Sequence, residues 1–152
     1  NVTGYKADKC NEKTLAQSAA KLTYAFANAS VPKVTVIIGQ AYGTAYLTMA
    51  SKSIGADIVY AWPDAVIGMM DATAAAKIMY ADEIRLSDDA PGLIREKAAQ
   101  YRQIQSSAMA AAKRGYVDDI IEAKDTRKRV IAALEMLFTK REDRPSKKHG
   151  TV

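Results

Sequence analysis

Apolar side chains at Leu15, Ala19, Leu22, Phe26 and Ala29 recur at helical spacing, so Lys13 to Ala29 predicts an amphipathic helix that Pro32 stops. The period then changes. "KVTVIIG", Lys33 to Gly39, is rich in β-branched residues and bounded by proline and glycine, which predicts a buried strand. Gly43 starts a turn into a short helix over Ala45 to Ser53, and Gly55 closes that helix as a C-cap. "ADIVYAW", Ala56 to Trp62, is the next strand, and Pro63-Asp64 turns the chain into a third, Ala65 to Met69. Asp71 is a candidate N-cap for a helix over Ala72 to Tyr80. "LSDDAPG" predicts a loop, Leu93 to Arg114 a long helix ended by Gly115, and a final helix begins at Asp125, whose carboxylate can cap it, with Val130, Ala133, Leu134 and Leu137 on one face. After Arg141 the periodicity ends, so residues 142–152 are expected to form an extended tail behind a single domain over residues 1–141.

Strands alternating with helices make this an α/β chain. No internal repeat is visible in the residues. Three strands would leave a parallel sheet with poorly covered edges, and the chain opens abruptly on "NVTGY" with no strand before it. The expectation is a fragment, or a part of a larger sheet completed elsewhere.

Composition narrows the chemistry. Nearly half of the 152 residues are apolar, enough for one domain with a core. No apolar run reaches the roughly 20 residues that span a bilayer, which leads to an expectation of a cytoplasmic protein without direct membrane insertion. Cys10 is alone and His149 is the single histidine, too few ligands for a zinc site, so no metal is expected and Cys10 is taken as a surface thiol. The formal charge is +5, and Lys113 to Val152 carries most of it with eleven Lys/Arg against seven Asp/Glu. Only Tyr116 and Phe138 interleave those charges, so no nucleic-acid partner is expected.

The stretch of candidate chemistry is "GQAYGTAYLTMASKSIGA", Gly39 to Ala56, which holds no Asp or Glu. A strand ending in Gly39, followed by Gly43-Thr44-Ala45 leading into a helix, aims backbone N–H groups into one spot where the helix dipole favours an anion. Such a turn serves packing more often than catalysis, and the spacing alone leaves both open. Tyr42, Tyr46, Tyr60 and Trp62 are pocket or core residues, Asp57 and Asp71 are read as caps or turn residues, and one of Met69 and Met70 should face the core. Neither Gly-x-x-x-x-Gly-Lys nor Gly-x-Gly-x-x-Gly occurs, so nucleotide binding lacks its usual loop.

Longer motifs carry a resemblance. "VPKVTVI", "AYGTAY" and "YAWPDAVIGMM" within Ala20 to Ile84, then "KKHG" within Val117 to Gly150, occur in an order that resembles the carboxyltransferase subunits of biotin-dependent acyl-CoA carboxylases and decarboxylases. The resemblance implies a crotonase-type (ClpP/crotonase) fold of repeated β-β-α units with C-terminal helices, here part of the second, biotin-side domain without the first, acyl-CoA-binding one. It implies carboxyl transfer between an acyl-CoA such as methylmalonyl-CoA or propionyl-CoA and biotin, with no obligatory acid, base or metal. In the family, backbone N–H groups stabilise the enolate-like oxygen of the biotin ureido ring. Carried over by position, those donors fall on Thr44 and Ala45 beside Gly43, with Tyr42, Tyr46 and Leu47 lining the biotin site.

The partners that the resemblance implies are a biotin carboxyl carrier protein, biotin carboxylase or membrane decarboxylase subunits, the missing N-terminal carboxyltransferase domain and further copies of the chain. The isolated chain is expected to be inactive. Two positions depart from the common pattern: Thr44 stands where many acyl-CoA carboxylases have glycine, and Leu47 where carboxylases of propionyl-CoA often have aspartate. Two alternatives stand beside this reading: a crotonase-superfamily hydratase or isomerase, and a non-catalytic assembly module that docks through its alanine-rich C-terminal helices.

Overall fold

A computed structural model describes residues 1–143. The amphipathic segment is helix α1, Glu12–Asn28, and Pro32 follows its end. Strands β1, Val34–Ile37, and β3, Ile58–Ala61, pair in parallel, and a short β5, Asp119–Ile120, extends that sheet in the order β1-β3-β5. After β1 and again after β3 the chain steps onto a second, smaller parallel sheet made of β2, Gln40–Tyr42, and β4, Val66–Gly68. Each of these strands leads into a helix: α2, Gly43–Thr48, follows β2, and α3, Ala72–Met79, follows β4. The result is two β-β-α units stacked side by side, the crotonase-type arrangement.

Alternation along β3 explains why the larger sheet is covered on both faces. Val59 and Ala61, each at 0 % exposure, point into one core with Ile37, Ile67, Ala108 and Val117, whereas Tyr60 points into a second with Ile121 and Ala133. A strand buried on both sides favours a continuous apolar run over strict alternation, which is what "DIVYAW" provides. Small alanines at these contacts let backbones approach closely.

Several expectations change in the structure. The short helix starts at Gly43, two residues earlier than expected, and ends at Thr48; Lys52–Ile54 forms a separate 3-10 turn, which Gly55 closes with φ 95°. The helix expected from Leu93 to Arg114 is broken. It begins earlier as α5, Ala90–Tyr101, capped by the Asp89 carboxylate accepting from the Gly92 N–H at 2.9 Å, after a short α4, Ala81–Leu86. At Arg102–Ser106 the turns widen into a π-helix, Ser107 is extended, and α6, Ala108–Lys113, starts anew. The cause is local, because the Ser107 hydroxyl takes the Ala110 N–H at 3.1 Å and so caps a new helix rather than continuing the old one. Asp71 caps α3 as expected, accepting from the Thr73 N–H at 2.8 Å. Asp125 makes no side-chain cap bond for α7, Thr126–Met136. Met69 and Met70 are both exposed, so neither faces the core. Cys10 lies on the surface as a free thiol. The expected tail falls outside the described residues except at Glu142 and Asp143.

Asp57 is more than a turn residue. Its carboxylate accepts the Lys33 peptide N–H at 2.7 Å and both its oxygens take the Lys140 ammonium, at 2.8 and 2.9 Å, which ties the C-terminal end of the described chain to the start of β3. Burial opposes ionisation of Asp57, but the Lys140 and Lys33 contacts outweigh it and hold the carboxyl below its ordinary range, while Asp57 chiefly raises Lys140. A carboxyl lowered in the folded state stabilises above its unfolded value and loses that contribution as pH falls through the folded one. Lys140→Met should therefore cost roughly 1–3 kcal/mol at neutral pH, because a largely buried carboxylate loses the ammonium that bonds both its oxygens and keeps the Lys33 N–H. In urea denaturation that difference should shrink below the ordinary carboxylate pKa and disappear once Asp57 is protonated.

Candidate functional site

The candidate site forms where β2 hands over to α2. Tyr42 is extended, with φ −119° and ψ 141°, and Gly43 turns to φ 60°, a left-handed conformation that glycine adopts without strain. A Cβ on Gly43 would meet the Met69 carbonyl oxygen at 3.1 Å, so the end of β4 packs directly against this turn. The first N–H groups of α2 have no acceptor within the helix.

Beside this turn is a cavity of about 470 Å³ walled by Gly43, Tyr46, Leu47, Tyr101, Arg114 and Tyr116 among others. Among the described residues no carboxylate, imidazole or thiol lines it, and Arg114 is the charged side chain that does. Arg114 donates to the Gln105 carbonyl at 2.8 Å and also bonds the Gln105 side-chain oxygen, which fixes the π-helical turn as the opposite wall. Burial, and next the neighbouring Tyr116, raise Tyr46 above its ordinary pKa, so it remains a neutral phenol at physiological pH.

The sequence-derived residues divide here. Gly43, Tyr46 and Leu47 reach the cavity. Thr44 is exposed on the other side of α2, where with Leu47 and Thr48 it lines an apolar groove against Leu15, Ala19 and Thr23 of α1. Ala45 is 3 % exposed and packs inward. Tyr42 is buried and lines neither space. Leu47 thus forms the partition between cavity and groove. Sequence reasoning missed Tyr101, Gln105 and Arg114, which lie roughly 60–70 positions further along the chain, on either side of the break in the expected long helix. Among the described residues no group of three His, Cys, Asp or Glu side chains is placed to hold a metal, and no helix is long and apolar enough to cross a membrane.

Comparison with known proteins gives this geometry a context. The model of the carboxyl transferase domain family matches residues 1–152. The methylmalonyl-CoA carboxyltransferase 12S subunit of Propionibacterium freudenreichii subsp. shermanii is 47 % identical over 131 residues, 86 % of this chain and 25 % of that protein. A putative propionyl-CoA carboxylase beta chain of Bacillus subtilis is 50 % identical over 133 residues, 88 % of this chain and 26 % of that one. A crystal structure of transcarboxylase 12S, described as a hexamer assembly with methylmalonyl-coenzyme A and methylmalonic acid bound, superposes with a TM-score of 0.93 at 42 % identity over 99 % of this chain and 29 % of its own. The chain spans about a quarter of the length of the curated relatives it matches. With the match running from its first residue to its last, the chain belongs to the carboxyl transferase domain family.

Proposed function

We propose that this chain supplies the biotin-side half of a carboxyltransferase site, moving a carboxyl group between an acyl-CoA such as methylmalonyl-CoA or propionyl-CoA and biotin held on a carrier protein. The observation that carries the reading is a cavity that opens at Gly43, the first residue of the Gly43-Thr44-Ala45 turn, and that has no carboxylate, imidazole or thiol among its described lining residues. Carboxyl transfer by release and recapture of carbon dioxide needs stabilisation of an oxyanion rather than a proton shuttle, and fixed backbone N–H donors provide that with no reorganisation. A hydratase or isomerase would need a carboxylate or similar group at the reacting carbon, and none lines the cavity among the described residues.

The residues fit the guest. Tyr46, Leu47 and Tyr101 offer largely apolar walls suited to a neutral bicyclic ring, and Arg114 brings positive charge to the same cavity. Biotin supplies a ureido nitrogen that carries the carboxyl group. The Thr44 and Ala45 N–H groups are assigned as oxyanion donors, Gly43 as the turn that presents them, and Leu47 as the residue that sets the cavity floor. The acyl-CoA side, the carrier protein, the carboxylase or membrane decarboxylase subunits and the assembly into oligomers belong to the longer protein, so this chain alone should be inactive.

The test uses the full-length subunit purified as its native oligomer. Incubated with methylmalonyl-CoA and free biotin it should form propionyl-CoA and carboxybiotin, whereas residues 1–152 alone should form neither. A folded full-length subunit that transfers no carboxyl group from methylmalonyl-CoA or malonyl-CoA, yet hydrates an enoyl-CoA, would overturn the proposal.

A further inference from the structure

Behind the cavity wall, two buried hydroxyls stand without partners. Tyr42 Oη and Ser106 Oγ are shut off from solvent, in residues 6 % and 1 % exposed, and neither has a hydrogen-bond partner among the described residues. Their placement is related. Tyr42 is the register partner of Gly68 across β2 and β4. Residues paired in register on neighbouring parallel strands carry their side chains on one face, and a Cβ on Gly68 would meet Ser106 Oγ at 3.1 Å. The serine hydroxyl therefore fills the space that a side chain on Gly68 would take, on the face that also carries Tyr42.

Native interiors seldom leave buried hydroxyls unpaired, and each can both donate and accept. Two such groups on one face of one strand pair suit a single shared water, which needs two or more polar partners. The tyrosine is a competent donor, because burial first and then Asp71 keep its phenol protonated against the opposing effect of Arg102. Both residues adjoin the site in the chain: Tyr42 immediately precedes Gly43, and Ser106 follows Gln105, the residue that Arg114 holds. Ser106 also ends the π-helical turn, a rare geometry frequently found at functional sites.

We propose that Tyr42 and Ser106 are positioning residues whose hydroxyls share one buried water behind the cavity wall, fixing the first turn of α2 relative to the π-helical turn. The functional readout of this inference rests on the carboxyltransferase reading above. The experiment is a double-mutant cycle in the full-length subunit, with Tyr42→Phe, Ser106→Ala and the pair, followed by carboxyl-transfer kinetics and by amide hydrogen exchange over residues 43–48. Each single variant should lower kcat about tenfold with KM for the acyl-CoA within about twofold, and the double variant should fall no further than the worse single. Exchange over residues 43–48 should rise alike in all three.

Losses that multiply in the double variant, or unchanged kcat and exchange, overturn the pair. A crystal structure of the full-length subunit with no water in hydrogen-bond reach of both hydroxyls overturns it too. If the unmodified subunit transfers no carboxyl group, the proposed function fails while the exchange measurement still decides the pair; if it transfers and the cycle is additive, the pair fails alone.

Discussion

Replacing Ala45 with proline in the full-length subunit should lower kcat for carboxyl transfer by about 10²–10³-fold, the usual cost of deleting one oxyanion donor. The substitution removes the peptide N–H, and its ring also disfavours the helical backbone of Thr44 before it. Ala45 lies in the first turn of α2, where the N–H has no acceptor within the helix, so proline breaks no helical hydrogen bond. Its side chain is 3 % exposed, however, so the ring also presses on the core. Ala45→Ser separates the two effects, since it adds an atom while keeping the donor. The expected result is a large loss in kcat for the proline variant, little change in KM for the acyl-CoA, and a loss of less than about tenfold for the serine variant. Equal losses in both would mean that packing, not the N–H, is what Ala45 contributes.

The turn behind that prediction is legible in the residues themselves, whereas other parts of the fold are not. Proline, glycine and β-branched runs locate α1, β1, β3 and β4 to within a few residues, and the Asp71 cap fixes the start of α3. Residue patterns hide the repeat. "TVIIGQAY" and "VYAWPDAVIG" build equivalent strand pairs with almost no residue in common, because a three-residue strand such as β2 needs only extended backbone and one apolar face. A strand as short as β5 carries no periodicity at all.

The break between α5 and α6 matters more for function and is harder to see. Alanine-rich sequence on both sides of Ser106-Ser107 favours a continuous helix by propensity. What ends it is the competition of a serine hydroxyl for the Ala110 N–H, together with an isolated backbone bridge that joins Ser107 to Val66 of β4. Tyr101 and Gln105 before the break and Arg114 beyond it line the same cavity as Tyr46 and Leu47. The glycine turn at the proposed site is therefore readable as a local motif, its assignment as a pair of donors rests on the family resemblance, and the walls that enclose the cavity are not readable.

Gly43→Val should abolish measurable transfer and destabilise the fold, through two effects that act at the same atom. Gly43 has φ 60°, where a β-branched residue is a genuine outlier, and relaxing to an ordinary φ would redirect the chain at the entry to α2. Staying in place is no easier, because the new Cβ would lie 3.1 Å from the Met69 carbonyl, which belongs to backbone immediately after β4 and has little room to move. The left-handed conformation alone costs about 1–2 kcal/mol for a residue with a side chain, and the branched Cβ adds to it. A total of roughly 2–4 kcal/mol is expected from urea denaturation. Gly43→Ala meets the same oxygen with a single methyl group, so it should keep most of the stability and still lose activity, since the shift needed to relieve the contact moves the donors of Thr44 and Ala45. A small shift of the turn matters little to folding, but misplacement by about 1 Å from a productive geometry can cost about 10²-fold in rate. Gly43→Ala with full activity and unchanged stability would show that the turn tolerates a side chain, and the role of Gly43 in presenting those donors would have to be abandoned.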